Sequence, residues 1–190
     1  MTAELILNRA EELREELIEN RRTFHSFAET GFDLPRTTAF VEEKLRSYGL
    51  EPVRCGKAGI TCVIGDPGKG KCFLLRGDMD ALPMTEESGL PFAAQNGHCH
   101  SCGHDTHTAM LLAAARLLSE HADELPGCVK LMFQPAEELL AGALDMIEHG
   151  LLENPTVDAG IGLHISIGGG AETAVGKISY KPGIANFSGD

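Results

Sequence analysis

Leu5, Ile6, Leu13, Leu17, Ile18 and Phe24 recur at helical spacing among Glu and Arg, which predicts one amphipathic helix over residues 2 to about 29. Gly31 ends it, and a second helix is expected from about Pro35 to Tyr48, stopped by Gly49. The period then changes. Ile60-Thr-Cys-Val-Ile64 and Cys72-Phe-Leu-Leu75 are short β-rich runs separated by the turn sequence Gly65-Asp-Pro-Gly-Lys-Gly70. A long polar loop follows Pro83, and an apolar helix is expected from about Asp105 to Glu120. Val129-Lys-Leu-Met-Phe133 is the next strand, halted by Pro135. A helix from about Glu137 to His149 is closed by Gly150. Asp158 to Leu163 and Val175 to Tyr180 are further strand-like runs, and 182–190 reads as loop. Strands alternating with helices imply an α/β fold with a mostly parallel sheet flanked by helices on both faces.

This pattern places chemistry at one end of the sheet. Asp78 and Asp80, Glu137 and Glu138, and His164 each follow a strand's carboxyl end, and Cys102 and His104 lie in the connection after another. In open α/β sheets, ligands bind outside those ends. The stretch Gln95 to Thr108 alone holds His98, His100, His104, His107, Cys99, Cys102 and Asp105. Thiolate, imidazole and carboxylate are donors that hold zinc and its neighbours. A helix N-terminus just after Cys102 also favours a thiolate. Taking Cys102, His104, Glu138 and His164 as ligands gives more donors than one open catalytic zinc takes from protein. That suggests a two-metal centre, with Glu137 as proton shuttle and Asp80 orienting a histidine.

Each residue also has a plainer reading. Cys99 and Cys102 form a C-x-x-C, compatible with half of a structural zinc site or a redox pair. No second C-x-x-C and no His pair at finger spacing follow, which argues against a zinc finger. A Glu pair at a helix start is favourable for the helix dipole alone. His164 is equally compatible with a satisfied core histidine, and His107 with a ligand, a supporting residue or a packing residue. His25 reads as packing or capping, His98 and His100 as loop residues, His121 and His149 as surface residues at helix ends. Asp78 and Asp80 could simply terminate a strand.

Composition narrows the partners. The 190 residues suffice for one domain with a buried core. A net charge of −12, from 28 acidic and 16 basic residues, argues against nucleic acid or an anionic membrane. The first twenty residues lack the apolar core of a signal peptide, and no run approaches a transmembrane length. Six cysteines without an export signal suggest reduced thiols in a cytoplasmic setting. Cys55, Cys62, Cys72 and Cys128 read as core residues.

Four motifs then stand in order: Arg76-Gly-Asp-Met-Asp-Ala-Leu-Pro83, His100-Ser-Cys-Gly-His-Asp-Thr-His-Thr108, Gln134-Pro-Ala-Glu-Glu138 and Gly162-Leu-His164. The chain resembles the N-terminal half of the metal-dependent N-acyl-amino-acid amidohydrolases, a group that includes aminoacylase-like enzymes, hippurate hydrolase and plant indole-acetyl-amino-acid hydrolases. The resemblance implies a di-zinc exopeptidase-like fold and two divalent metal ions (zinc or manganese, with cobalt suited as well). It implies cleavage of an amide in a small N-acyl amino acid or dipeptide. By matching position, Cys102, His104, Glu138 and His164 look like the metal ligands, Glu137 like the general base, and Asp80 like the site-supporting aspartate.

Members of that group continue into a lid or dimerisation domain and then return to the catalytic domain. Residues 1–190 are therefore expected to be the N-terminal part of the catalytic domain, with weak or no activity alone. The lid and the returning segment, with its last ligand histidine and an oxyanion-stabilising histidine, are expected to be absent. Homodimerisation and association with a separate C-terminal half both stay open. The rival expectation is a non-catalytic metal-binding or interaction module. A structural-zinc reading predicts equal damage from Cys99→Ser and Cys102→Ser, whereas the two-metal reading predicts that Cys102 matters more.

Overall fold

The computed structural model describes residues 2–166 together with Gly176 and Ile178. The strand expected over 175–180, those two positions apart, and the loop 182–190 lie outside the described residues. Five strands, β1 (Val53–Cys55), β2 (Gly59–Gly65), β3 (Cys72–Asp78), β4 (Cys128–Gln134) and β5 (Ala159–Gly162), form one sheet in the order β1-β2-β4-β3-β5. Among the described residues, five α-helices accompany them: α1 (Ala3–Glu12), α2 (Arg14–Phe27), α3 (Pro35–Ser47), α4 (His104–Ser119) and α5 (Gly142–Glu148).

The helices cover both faces, as the alternation in β4 requires. Leu131 and Phe133 point into the main core with Phe24, Val41, Leu45, Ile60, Leu112 and Ala115 from the α2, α3, β2 and α4 side. Met132 points the other way, against Met146 of α5, Cys55 and Leu151. Lys130 shares that second face and is buried, yet its Nζ donates to the carbonyls of Leu151, Glu153 and Pro155 at 2.9, 2.7 and 3.0 Å. The ammonium thus ties β4 to the turn that leads into β5. Burial lowers its pKa, since the charged form loses water there.

Three expectations change. The single N-terminal helix is two, because the chain turns at Leu13 (φ −82°, ψ −3°), whose side chain is buried while α1 buries none. The sheet is mixed. Its β3–β4 and β3–β5 pairings are parallel, but β1–β2 and β2–β4 are antiparallel; the short turn after β1 can only reverse the chain into β2. The helix expected from Glu137 begins at Gly142 instead, and Glu137 to Leu140 form a turn closed by Leu140 N–H to Glu137 O at 2.8 Å. Gly142 permits this doubling back, since a Cβ there would lie 1.6 Å from the Pro135 carbonyl oxygen.

Lys130→Met should lower the free energy of unfolding by about 1–3 kcal/mol, because three carbonyls lose a charged donor. Urea denaturation followed by circular dichroism checks this; an unchanged midpoint would show the three bonds to be energetically silent.

Candidate metal centre

Parallel pairing on both sides of β3 brings three strand ends to one rim, with Asp78 in register with Gln134 and Arg76 with Gly162. Helix α4 reaches the same rim from above. Its N-cap is Gly103 (φ 91°), and His104 is its first residue. The Thr108 hydroxyl donates to the Asp78 carbonyl at 2.7 Å, which fastens the helix start to the end of β3.

His104, fully buried, is the centre of the arrangement. Its Nε2 stands 3.6 Å from Asp78 Oδ2, 3.6 Å from Glu137 Oε2 and 3.8 Å from Glu138 Oε1. Its Nδ1 faces Asp80 Oδ1 at 3.5 Å. Among the described residues, three donor triads have their ligand atoms within reach of one another, and all three contain His104: with Cys102 and His164, with Glu137 and Glu138, and with Asp78 and His107. Cys102 Sγ is 3.3 Å from His164 Nε2. Every residue singled out from the sequence as a ligand or base is therefore in this cluster. Cys99 is in none of the triads; it is buried and its backbone pairs with Leu82.

Asp80 organises the glutamates as well as facing the histidine. Its carboxylate accepts from the backbone N–H groups of Glu137 at 2.9 Å and Glu138 at 3.2 Å. With α5 starting four residues after Glu138, a helix dipole no longer explains this pair.

The electrostatics call for a cation. Burial, and then the carboxylates of Glu138, Glu137 and Asp78, push the Cys102 thiol up to about 12, overriding the helix N-terminus expected to favour its thiolate. Burial alone would lower the His104 pKa, but Asp80, Asp78 and Glu137 outweigh it and the net shift is upward. Asp78 is held below the usual carboxylate range: burial opposes this, and the bond from His107 with the charges of His104 and Arg76 prevails. Both ring nitrogens of His104 and Glu138 Oε1 are buried without a hydrogen-bond partner among the described residues. A buried imidazole and a carboxylate oxygen left without hydrogen-bond partners beside a thiol and several carboxylates fit a divalent cation, which would neutralise the carboxylates and displace the thiol proton.

The sequence reading did not anticipate the layer behind this cluster. His25, expected to pack or cap, is buried between Asp105 Oδ2 (2.7 Å) and Glu86 Oε1 (2.9 Å), and its pKa is raised chiefly by Asp105. Arg21 Nε also reaches Asp105 Oδ2 at 2.8 Å, so α2 grips the start of α4. His98 Nδ1 lies 2.9 Å from the Ala28 carbonyl oxygen and ties the long loop to the end of α2. His100 is a loop residue, as expected, but a buried one, and burial drops its pKa to about 4, so it is neutral. The one local signal was the i,i+4 spacing of Arg21 and His25.

The fold and rim define an α/β protein with a metal-type donor cluster at the carboxyl ends of parallel strands. The profile of peptidase family M20/M25/M40 matches residues 74–185, more than half of the chain, and the chain belongs to that family. It is 42% identical over 174 residues to the N-acetyl-L-cysteine deacetylase of Bacillus subtilis, a match covering 90% of this chain and 40% of that protein. With the N-acyl-L-amino acid amidohydrolase of Geobacillus stearothermophilus it shares 39% over 168 residues, or 87% of this chain and 45% of that one. A Bacillus subtilis structure described as a dinuclear metal-binding peptidase of the same family superposes with a TM-score of 0.77 at 36% identity, covering 82% of this chain and 44% of that chain. The chain thus spans less than half the length of these relatives.

Cys102→Ala should reduce the metal retained after dialysis, and Asp80→Ala should weaken binding about 10–100-fold by releasing the glutamate turn. Cys99→Ala should leave both unchanged. Elemental analysis and competition with a chromophoric chelator provide the readings, and equal losses from both cysteine variants would favour a structural C-x-x-C site.

Proposed function

We propose that the chain carries part of the active site of a metal-dependent hydrolase that cleaves the amide bond of N-acyl amino acids or small dipeptides. Cys102, His104, Glu138 and His164 are the metal ligands in this reading, Glu137 is the general base, and Asp80 is the residue that positions them. The observation that carries it is the meeting of the triads Cys102/His104/His164 and His104/Glu137/Glu138 on one buried imidazole. Two relatives bear names of N-acyl amino acid hydrolysis, and the B. subtilis structure is described as binding two metals. Two ions are accordingly proposed here, of zinc, manganese or cobalt, all compatible with a mixed sulfur, nitrogen and oxygen donor set. A cytosolic setting belongs to the same reading, supported by six free cysteines.

Divalent ions in such a donor set polarise a carbonyl oxygen and lower the pKa of water. The protein's own groups supply the rest. The Glu137 side chain is 32% exposed against 22% for Glu138, and Glu138 Oε1 is buried. Both carboxylates face His104, and Glu137 is the more exposed of the two, which leaves it the better placed to meet water. From there Glu137 takes one proton from the attacking water as the C–O bond forms. It returns that proton to the amide nitrogen as the C–N bond breaks, leaving a carboxylic acid and a free amino acid. Asp80, holding both glutamate N–H groups, keeps the two carboxylates in these separate roles.

The test is hydrolysis of N-acetyl amino acids by the protein that contains this chain. Glu137→Gln should lower kcat about 10²–10⁴-fold, the usual range for removing a general base, with metal content unchanged. Turnover equal to that of the parent protein would refute the assignment.

A further inference from the structure

His107 lies one turn into α4 from His104, buried, with the two rings stacked at 5.6 Å between centroids. It belongs to a triad within metal-ligand reach, but both of its ring nitrogens are already engaged. Nδ1 is 2.6 Å from Asp78 Oδ1. A carboxylate there accepts, so Nδ1 carries the hydrogen and Nε2 keeps its lone pair. That lone pair accepts the backbone N–H of Ile165 at 2.9 Å. A lone pair committed to an N–H is not offered to a metal.

Ile165 directly follows His164, so this bond fixes the peptide on which His164 is carried. The side chain of Ile165 makes a second contact with α4, at Gly103. A Cβ there would come within 2.4 Å of Ile165 Cδ1, and the φ of 91° already favours glycine. The His164 ring packs edge-on to His107 at 4.7 Å. Behind the imidazole, Asp78 is itself fixed by Arg76 Nη1 at 2.6 Å. The contact matters because β5 ends at Gly162 and Leu163, His164 and Ile165 are all exposed, so core burial does not hold them.

We propose that His107 is a positioning residue: through Nε2 and the Ile165 N–H it holds the segment after β5, setting His164 beside Cys102 and His104. Its consequence for metal binding rests on the proposed function; the hydrogen bond does not.

The test measures amide hydrogen exchange of Ile165 by NMR in the metal-free protein, and divalent-metal affinity, for the parent, His107→Gln and His107→Asn. The glutamine carbonyl reaches the place of Nε2 and can accept from Ile165, whereas asparagine is shorter and reaches Asp78 alone. His107→Asn should speed Ile165 exchange about three- to tenfold and weaken metal binding about 10–100-fold. His107→Gln should stay near the parent in both. Unchanged exchange in His107→Asn, or glutamine as damaging as asparagine, would overturn the proposal. Metal binding with unmoved exchange would defeat this clamp and leave the hydrolase reading standing. The expected exchange pattern in a protein that binds no divalent metal would do the reverse. Should the asparagine variant fail to fold, the ¹⁵N shifts of His107 in the parent decide: a protonated Nδ1 with a free-base Nε2 is expected, and the opposite tautomer overturns the clamp.

Discussion

A strand paired in parallel on both sides cannot be joined to its neighbours by tight turns, because each connection must cross the sheet to restart at the same end. β3 is such a strand, and the two connections bring α4 over one face and α5 over the other. The carboxyl ends of β4, β3 and β5 therefore finish side by side, one inter-strand spacing apart. Aspartates, a glutamate turn and a histidine at those ends become neighbours without any long side chain having to reach. Remove the parallel register and the donors scatter.

What meets at that rim is an excess of negative charge around a buried imidazole. Four carboxylates and a thiol face His104, with Arg76 engaged by Asp78 and Gln134 rather than directed at the thiol. Desolvated charge of one sign is unfavourable unless compensated. Asp80 gains part of that compensation from two backbone N–H groups and Asp78 from His107 and Arg76. The buried Glu138 Oε1 and the His104 ring nitrogens have no hydrogen-bond partner among the described residues, and a cation would compensate them. The same charge pattern favours a multivalent positive ion and accords with membership of a metallopeptidase family.

Behind the rim, the start of α4 is held from three directions. The Arg21 and His25 pair on α2 reaches Asp105, the Thr108 hydroxyl reaches the Asp78 carbonyl, and Gly103 receives Ile165. Glu86 adds the long loop to this assembly through His25. A donor on the first residue of a helix would otherwise sit where helices fray. These contacts replace that freedom with a single placement.

Much of this was written in local pattern. The run Val129-Lys-Leu-Met-Phe133 announced a strand, and the apolar run after Asp105 announced α4. Metal-type donors just beyond strand ends pointed to the rim, and Cys102, His104, Glu138 and His164 do meet there. Other features escaped. Helical spacing runs unbroken through Leu13, so the bend there left no trace. Ala136 and Leu140 take positive φ without being the glycine or asparagine that usually signals it, so the glutamate turn read as a helix. Hydrophobic period reports which face a residue occupies, and that information is local. The direction in which β2 pairs, the grip of α2 on Asp105 and the bond from Ile165 to His107 join residues far apart in the chain. Tertiary structure alone decided them, because each is settled by the packing of whole elements and not by the residues beside it.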